Sequence, residues 1–280
     1  MKVAYLGPAG TFTERAAKDL FPNSELVAIQ PIRGVVFSVE KREARYGIIP
    51  LENFYNGEVR QSLDALTKCA HTQITQEHST KIVHCIGALK PHGMIKTIFS
   101  KDQALEQCSD YLFQNYPYAM EIATSSTAEA AERIAREKLL EAAAIAPKNA
   151  LIKSGLEIIA EDIVPNNRTR FAVISQNYTE STGDDKTLLA VHPPIKDKPG
   201  VLYNTLGFIS GFEINLEDIK SRPDGREGYY FYVELDGHVK DRAVKMALDA
   251  IRFSLDPKDK YPDAVKVLGS YPNTHWKERK

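Results

Sequence analysis

Short apolar runs alternate with stretches of helical periodicity along the first part of this chain. The runs at 2–6, 25–30 and 46–51 have the length and flanking turns of buried strands. Helical patterns lie between them, one ending near Leu20 and one at 33–43. Alternation of strands and helices is typical of a mainly parallel α/β sheet. We therefore expect an α/β lobe at the start of the chain.

The same alternation of apolar runs and helical patterns begins again near Lys81 and predicts a second α/β lobe, at about 80–165. Its predicted strands are 82–89, 95–99, 118–123, 142–146 and 157–160, and its predicted helices are 102–115, 127–139 and 147–153. The apolar run at 171–175 predicts a strand that returns to the first sheet, with crossings near 78–81 and 161–170. Because ligands often bind between two lobes, this order predicts a cleft with Thr169 close to it.

A polar, turn-rich segment from Gln176 to Lys186 precedes a smaller C-terminal pattern. That pattern predicts strand, helix, strand, strand, helix and strand at 187–195, 200–210, 213–221, 228–236, 240–253 and 264–270. This βαββαβ order is the ferredoxin-like arrangement. The predicted boundaries are therefore 1–178 for a two-lobed domain, 179–186 for a linker and 187–272 for a C-terminal domain.

Composition narrows the classes of function. The formal net charge is -1 without a long basic stripe, so we expect no nucleic-acid partner. No apolar run approaches the ~18 residues that span a bilayer, so we expect no membrane partner. The cysteines (Cys69, Cys85 and Cys108) lie far apart, which indicates buried thiols in a reducing compartment and predicts a cytoplasmic protein. The histidines lack the spacing of metal ligands, and we expect no metal.

The segment from Asn167 to Phe171 carries the most informative chemistry. Thr169 sits between Arg168 and Arg170, just before the predicted strand, after a turn at Pro165. A hydroxyl donor beside fixed positive charge suits an anionic small molecule that loses a hydroxyl group. The alternative is a threonine that caps the strand, with two solvated arginines.

Polar groups also stand at other predicted strand ends and helix starts. The turn at 7–13 leads from a strand into a helix, whose free N–H groups attract carboxylate or phosphate or else only form a capped turn. The strand ending at 50–53 brings Glu52 to its end, as a general base or as a capping carboxylate. Gln103 and Gln107 share a helix face, and the hydroxyls of 124–127 precede the next helix.

Ordered motifs then link these segments to one family. They are GPAGTFT at 7–13, PLEN at 50–53, Asn56-Gly57, Gln103 with Gln107-Cys108, STAEAA at 126–131, AAIAPKNA at 143–150, GLEIIAEDI at 155–163, Thr-Arg-Phe at 169–171, KPGVLYNTL at 198–206 and KSRP at 220–223. In these motifs, over nearly its whole length, the chain resembles monofunctional prephenate dehydratases. The resemblance implies a two-lobed, periplasmic-binding-protein-like catalytic domain and a C-terminal ferredoxin-like ACT domain. Since the match begins at Met1, we expect no fused chorismate mutase.

The resemblance also implies a reaction. The family converts prephenate to phenylpyruvate in L-phenylalanine biosynthesis, losing water and carbon dioxide together and using no cofactor. Its essential threonine falls on Thr169, which we interpret as a hydrogen-bond donor to the leaving oxygen. Arg170 is expected to fix a carboxylate or to act as a structural clamp, and Phe171 mainly to pack. The expected substrate-binding residues are Thr11, Phe12, Asn53, Gln103, Ser126, Thr127, Arg170 and Phe171.

The C-terminal segment resembles ACT domains that bind phenylalanine between paired subunits. The resemblance implies feedback regulation by phenylalanine and a homodimer or homotetramer. The expected phenylalanine-binding residues are Pro199, Gly200, Val201, Leu202, Lys220, Ser221, Arg222 and Pro223. Lys220 stands where the family has glutamate, so a charge is reversed there.

Two departures from the family pattern keep alternatives open. Phe54 stands where the family usually has serine, and Lys101-Asp102 stand where it usually has His-Pro. The alternatives are an arogenate dehydratase, an enzyme like prephenate decarboxylase, or a non-catalytic sensor that binds prephenate or an amino acid. Retention of Thr169 argues against a decarboxylase.

Overall fold

The chain has an α/β fold with two β-sheets, one of ten strands and one of five. The computed structural model describes residues 1–194, 199–225 and 228–275. The chain divides into unit 1, made of Met1–Leu51, Val59–Ser79 and Arg170–Lys280, and unit 2, made of Glu52–Glu58 and Thr80–Thr169. The peptide bond between Thr169 and Arg170 is therefore the last of four passages from one unit to the other.

The described strands and helices are as follows in chain order. The strands are β1 (Lys2–Leu6), β2 (Glu25–Ile29), β3 (Tyr46–Asn53), β4 (Gly57–Glu58), β5 (Gln73–Lys81), β6 (Cys85–Ala88), β7 (Thr97–Ser100), β8 (Met120–Ala123), β9 (Ala142–Ala146), β10 (Glu157–Ala160), β11 (Arg168–Ser175), β12 (Asp185–Val191), β13 (Leu216–Pro223), β14 (Tyr229–Asp236) and β15 (Val265–Pro272). The helices are α1 (Phe12–Leu20), α2 (Ile32–Glu40), α3 (Arg60–Thr67), α4 (Asp102–Asn115), α5 (Thr127–Glu137), α6 (Lys148–Lys153), α7 (Val201–Gly211) and α8 (Arg242–Leu255), with a short 3-10 turn at Pro262–Ala264.

The ten-stranded sheet belongs mostly to unit 1 and runs in the order β13, β14, β12, β15, β5, β11, β3, β1, β2, with β4 paired to β3. Strand β1 is parallel to β2 and to β3, as the alternation of strands and helices predicts. Strand β15 joins β5 in parallel, with Gly269 opposite Ile74. A Cβ atom on Gly269 would lie 2.4 Å from the Ile74 carbonyl oxygen, so this close approach requires glycine.

The last part of unit 1 contains the predicted βαββαβ order, from β12 through α7, β13, β14 and α8 to β15. Strand β14 lies between β13 and β12, and all pairings among these strands, including β12 with β15, are antiparallel. A buried apolar cluster joins one face of these strands to α7 and α8, including Leu189, Val233, Ile209 and Leu248. The strands therefore have one apolar face under two helices.

Unit 2 is built on the five-stranded sheet, in the order β10, β6, β9, β7, β8. Its central strand β9 is buried at every position, as expected for a strand covered on both faces. Alternate residues enter different cores, since Ala143 and Ile145 pack with α4 whereas Ala144 packs with α5. The helix α4 is thereby fixed on one face of the sheet.

The predicted elements agree with the structure in most places and differ where polar residues are buried. The predicted bounds of α4, β9 and β10 are confirmed. The prediction missed α3 and β5, and β5 is hard to recognise as a strand because eight of its nine residues (QITQEHSTK) are polar or charged. Strand β11 begins at Arg168, so Thr169 lies inside the strand and the prediction of a strand from 171 was wrong. Strand β12 begins at Asp185, so the end of the predicted linker belongs to a strand.

No helix in the described part of the chain has the length and apolar character needed to cross a membrane. Among the same residues, no group of three or more His, Cys, Asp or Glu side chains could hold a metal ion.

Candidate active site

Asn53 is the last residue of β3 and lies 5% exposed in unit 2. Its Oδ1 accepts hydrogen bonds from the backbone N–H groups of Tyr55 at 3.0 Å and Asn56 at 3.1 Å. Backbone N–H groups only donate, so the amide oxygen must face them. The Nδ2 group of Asn53 is therefore turned the other way.

The Nδ2 group of Asn53 donates towards three acceptors. They are Asn167 Oδ1 at 2.9 Å, the Arg168 carbonyl oxygen at 3.1 Å and Thr169 Oγ1 at 3.0 Å. Two hydrogens serve three acceptors, so at least one hydrogen is shared. Because Thr169 Oγ1 accepts here, its own hydrogen is not used in this bond and is available for donation.

The backbone around Thr169 is held by hydrogen bonds within unit 2. The Asn167 carbonyl accepts from Ile82 N at 2.8 Å, and the Arg168 carbonyl accepts from Phe54 N at 2.9 Å. The predicted turn before this segment is present, with Asn166 in the left-handed region at φ 61°. The position of Thr169 is therefore fixed by main-chain contacts as well as by Asn53.

Gln107 closes a ring of side-chain amides. Its Nε2 donates to Asn53 Oδ1 at 3.1 Å and to Asn56 Oδ1. Its Oε1 accepts from Asn167 Nδ2 at 2.9 Å, and Asn167 in turn accepts from Asn53. We call Asn53, Asn56, Gln107 and Asn167 the amide ring. Backbone donors fix the orientation of Asn53, and the other amide orientations follow from it.

His84 contacts the amide ring from a buried position, 3% exposed. Its Nε2 lies 2.9 Å from Gln107 Oε1, which is an acceptor, so Nε2 carries the hydrogen. Burial lowers the pKa of His84 and outweighs the opposite effect of the hydrogen bond to Gln107. The imidazole is therefore neutral near pH 7.

The sequence alone missed part of this site. His84, Asn56 and Asn167 were not among the predicted site residues, and Gln107 was noted only for its place in a family motif and for the helix face that it shares with Gln103. Isolated polar residues far apart in sequence give no spacing signal. The one available signal was the helix pattern of α4, which places Gln107 one turn after Gln103.

The other predicted substrate contacts of unit 2 lie at helix starts. Gln103 is exposed in the first turn of α4. Ser126 is the N-cap of α5, with Oγ accepting from Glu129 N at 3.1 Å, and Thr127 is the first residue of that helix. Capping accounts for the Ser126 hydroxyl. Among the described residues, no hydrogen bond joins Gln103, Ser126 or Thr127 to the amide ring, and their role in binding stays a prediction.

Thr11 and Phe12 lie in unit 1. Thr11 caps α1, with Oγ1 accepting from Glu14 N at 3.3 Å, while Glu14 Oε2 accepts from Gly10 N at 2.5 Å. Phe12 is half-buried against an apolar cluster that includes Phe171, which is 1% exposed. The packing role expected for Phe171 agrees with this position.

Arg170 faces away from solvent into unit 1, at 3% exposure. Its guanidinium contacts Glu77 at 3.0 Å and binds Glu234 through Nη1 at 2.9 Å and Nη2 at 2.5 Å. Lys186 and Tyr271 complete this group. We call these five residues the Arg170 cluster. Two protein carboxylates already neutralise the guanidinium, which favours the clamp alternative over binding of a substrate carboxylate.

The residues predicted to bind phenylalanine lie on two elements of unit 1. Gly200, at φ 82°, precedes α7, with Pro199 before it and Val201 and Leu202 in the first turn. Lys220 to Pro223 lie on β13, opposite Tyr232 to Tyr229 of β14. Lys198 of the matching motif lies outside the described residues.

Two of these predicted residues have charged partners in the structure. Lys220 Nζ contacts Asp218 at 2.7 Å. Arg222 contacts Asp64 at 2.6 Å and donates to the Arg60 carbonyl at 2.9 Å, which ties β13 to α3. The charge of Lys220, reversed from the family pattern, is thus balanced by a carboxylate on its own strand.

Comparisons with known proteins agree on one family. The family model for prephenate dehydratase matches residues 3–179. A prephenate dehydratase of Lactococcus lactis subsp. cremoris is 33% identical over 278 residues, covering 97% of this chain and 97% of that protein. A bifunctional chorismate mutase/prephenate dehydratase of Aquifex aeolicus is 35% identical over 278 residues, covering 97% of this chain and 74% of that protein.

A solved structure from the same family is similar to this chain over almost its whole length. The crystal structure of prephenate dehydratase from Arthrobacter aurescens in complex with L-Phe is similar with a TM-score of 0.84 and 30% sequence identity. The similarity covers 98% of this chain and 90% of that chain.

Proposed function

The chain belongs to the prephenate dehydratase family, and we propose that it converts prephenate to phenylpyruvate, water and carbon dioxide under feedback inhibition by phenylalanine. The observation that carries the reaction is the hydrogen bond from Asn53 Nδ2 to Thr169 Oγ1. It leaves the threonine hydrogen free to be donated to a substrate oxygen.

The chemistry needs little covalent help from the protein. The bond between the ring and its carboxylate breaks to release carbon dioxide, and its electron pair enters the ring. The ring hydroxyl leaves from the opposite carbon and takes up a proton to become water. Formation of the aromatic ring drives the reaction, so the enzyme mainly orients the substrate and assists the departing hydroxyl.

Thr169 is suited to the second task as a hydrogen-bond donor. A threonine hydroxyl is too weak an acid to lose its proton outright, so it stabilises the leaving oxygen while a water or a relay delivers the proton. Its side-chain partner Asn53 belongs to the amide ring, which also contacts the neutral imidazole of His84. The amides and the imidazole add no negative charge, and the Glu106 carboxylate reaches the ring only at Asn56, at 3.5 Å.

We assign the residues as follows. Asn53 orients Thr169, and Gln107, Asn167 and His84 orient Asn53. Arg170 takes the clamp role, and Phe171 packs. The other proposed substrate contacts are Thr11, Phe12, Gln103, Ser126 and Thr127, as the sequence predicted. Phe54, which replaces the usual serine, is 56% exposed, and its ring packs edge-on against Tyr55.

The finer architecture is part of the proposal. We assign 1–178 to a two-lobed, periplasmic-binding-protein-like domain with its second lobe at about 80–165, 179–184 to a linker and 185–272 to an ACT domain, since β12 begins at Asp185. The order from β12 to β15 and its antiparallel pairing support the ACT assignment. A homodimer or homotetramer is proposed with it. The buried thiols of the three cysteines support a cytoplasmic location.

The first experiment is to measure phenylpyruvate formation from prephenate by the purified chain, with and without phenylalanine. The nearly isosteric variant Thr169→Val should lose turnover by about 10²-fold or more, because it removes the donor. Thr97→Val is the matched control, since Thr97 lies on β7 of the same unit and outside the amide ring. Near wild-type turnover in Thr169→Val would remove this residue from the mechanism.

Three other measurements on the same purified chain separate the alternatives. Phenylalanine formed from arogenate would indicate an arogenate dehydratase. Release of carbon dioxide without an aromatic product would indicate a decarboxylase. Tight prephenate binding without any product would indicate a sensor.

A further inference from the structure

The Arg170 cluster is a buried charged group that the proposed reaction does not use. Its members come from five strands, with Glu77 on β5, Arg170 on β11, Lys186 on β12, Glu234 on β14 and Tyr271 on β15. None is more than 3% exposed. Five buried polar side chains on five different strands can be satisfied only if those strands keep one mutual arrangement.

The contacts within the cluster are short and mutual. Arg170 binds Glu234 with two parallel hydrogen bonds and contacts Glu77 with Nε at 3.0 Å. Lys186 Nζ lies 3.1 Å from Glu77 and 3.7 Å from Glu234. The Tyr271 hydroxyl donates to Glu234 at 2.8 Å. Each carboxylate therefore contacts both cations.

The formal charges of the cluster cancel, with two cations and two carboxylates. Burial alone would raise the pKa of the Glu234 carboxyl, but the charge and hydrogen bonds of Arg170, with help from Lys186 and Tyr271, lower it to about 2. The Glu234 carboxylate is therefore ionised near pH 7. Separation of any one partner would leave a buried charge without its counter-charge, which is strongly unfavourable.

Three of the five members come from the C-terminal βαββαβ segment. Strand β14, which carries Glu234, is paired along its length with β13, the strand of the predicted phenylalanine-binding residues Lys220 to Pro223. A shift of β13 and β14 therefore acts directly on the carboxylate that holds Arg170. Arg170 follows Thr169 on the same strand, so a displaced Arg170 moves the backbone of Thr169.

We propose that Arg170 is a positioning residue for Thr169, and that Lys186, Glu234 and Tyr271 transmit the state of the C-terminal segment to it. This inference rests on the function proposed above and specifies how phenylalanine regulates the reaction. The cluster acts as a two-state element, since its charges are either fully paired or separated at a large cost. Phenylalanine binding changes the placement of Thr169 by shifting β14.

The test compares variants that keep the cluster neutral. The double variant Lys186→Met with Glu234→Gln removes one cation and one anion and leaves Arg170 beside Glu77. Tyr271→Phe removes only one hydroxyl and keeps the packing. The matched control is Lys240→Met with Glu180→Gln, the same replacements at an exposed ion pair of 2.5 Å in the same segment.

Two quantities are measured for each full-length protein. Calorimetry gives the affinity for phenylalanine, and steady-state kinetics give the factor by which saturating phenylalanine lowers kcat/KM for prephenate. Allosteric factors of about 5- to 150-fold are typical. In the double variant we expect phenylalanine still to bind but to lower kcat/KM by less than about two-fold. Tyr271→Phe should give an intermediate factor, and the control should keep the wild-type factor.

The outcomes separate this inference from the proposed function. A folded double variant and a Tyr271→Phe variant that both keep the wild-type factor would overturn the inference and leave the proposed function intact. If the double variant fails to fold, Tyr271→Phe decides alone, and an unchanged factor there overturns the inference. Wild-type protein that turns over prephenate without responding to phenylalanine would overturn both the regulation and this inference.

Discussion

The amide ring and the Arg170 cluster flank one peptide bond, yet they bury polar groups in opposite ways. The ring before that bond is neutral and leaves the hydrogen of Thr169 available for donation. The cluster after it pairs two basic side chains with two carboxylates. A neutral site can keep one group open to a ligand at little cost, whereas buried charges must all be paired. Thr169 and Arg170 are adjacent in one motif, yet Thr169 is placed for the reaction and Arg170 stabilises the fold.

The largest expected effect is on the stability of the cluster. Glu77→Gln removes a fully buried carboxylate and leaves Arg170 and Lys186 with one counter-charge, which should cost about 3–5 kcal/mol of unfolding free energy. Urea unfolding measures this loss. Glu157→Gln, at the exposed ion pair with Lys90, is the control and should change it by less than about 1 kcal/mol. Equal losses in both variants would contradict the structural role of the cluster.

The second effect concerns the ring and should appear in turnover. Asn53→Asp keeps the shape but replaces the donor that faces Thr169 Oγ1 with an acceptor, so the threonine hydrogen turns towards it. We expect kcat to fall by about 10²-fold, with the fold retained by circular dichroism. Asn115→Asp, on the exposed side of α4, should leave kcat unchanged. Unchanged kcat in Asn53→Asp would mean that the orientation of Thr169 does not matter.

The third effect depends on pH, because the Glu234 carboxylate of the cluster titrates in acid whereas the four amides of the ring do not titrate. The folded pKa of Glu234 lies near 2, below its ordinary value of 4.5. Its stabilising contribution is therefore complete above pH 4.5 and is lost as pH falls through 2. As pH falls from 4.5 to 2, the unfolding free energy of Glu234→Gln should decrease by about 2–3 kcal/mol less than that of wild type. Parallel pH curves for the two proteins would show that Glu234 is not held ionised by Arg170.

The smallest expected effect concerns the junction that brings the cluster together. Gly269→Ala places a methyl group against the Ile74 carbonyl and should force β15 away from β5, costing about 1–2 kcal/mol. Gly207→Ala in α7 meets no atom within 4 Å and should be neutral or slightly stabilising. Thermal unfolding compares the two. A neutral Gly269→Ala would show that the strands tolerate a wider separation.

The family motifs predicted roles for Thr169 and Asn53 in the site, but they did not indicate which neighbours orient them. Gln103 and Gln107 share one face of α4, and Gln103 was the one predicted for the site, whereas only Gln107 enters the amide ring. His84 and Asn167 join it from distant segments. Arg170 seemed equally suited to bind a substrate or to clamp the chain, and the two carboxylates that pair with it favour the clamp.

The sequence by itself determined most of the helices and strands, because the spacing of apolar positions indicates which face of each is buried. The bounds of α4 and β9 and the βαββαβ order follow from such periods. Only the tertiary structure decided what its polar residues do. The sequence of β5 is typical of a surface segment, but in the structure Glu77 contacts Arg170 and Lys186. A buried charge is stable only beside its partners, and these partners lie far away in the sequence.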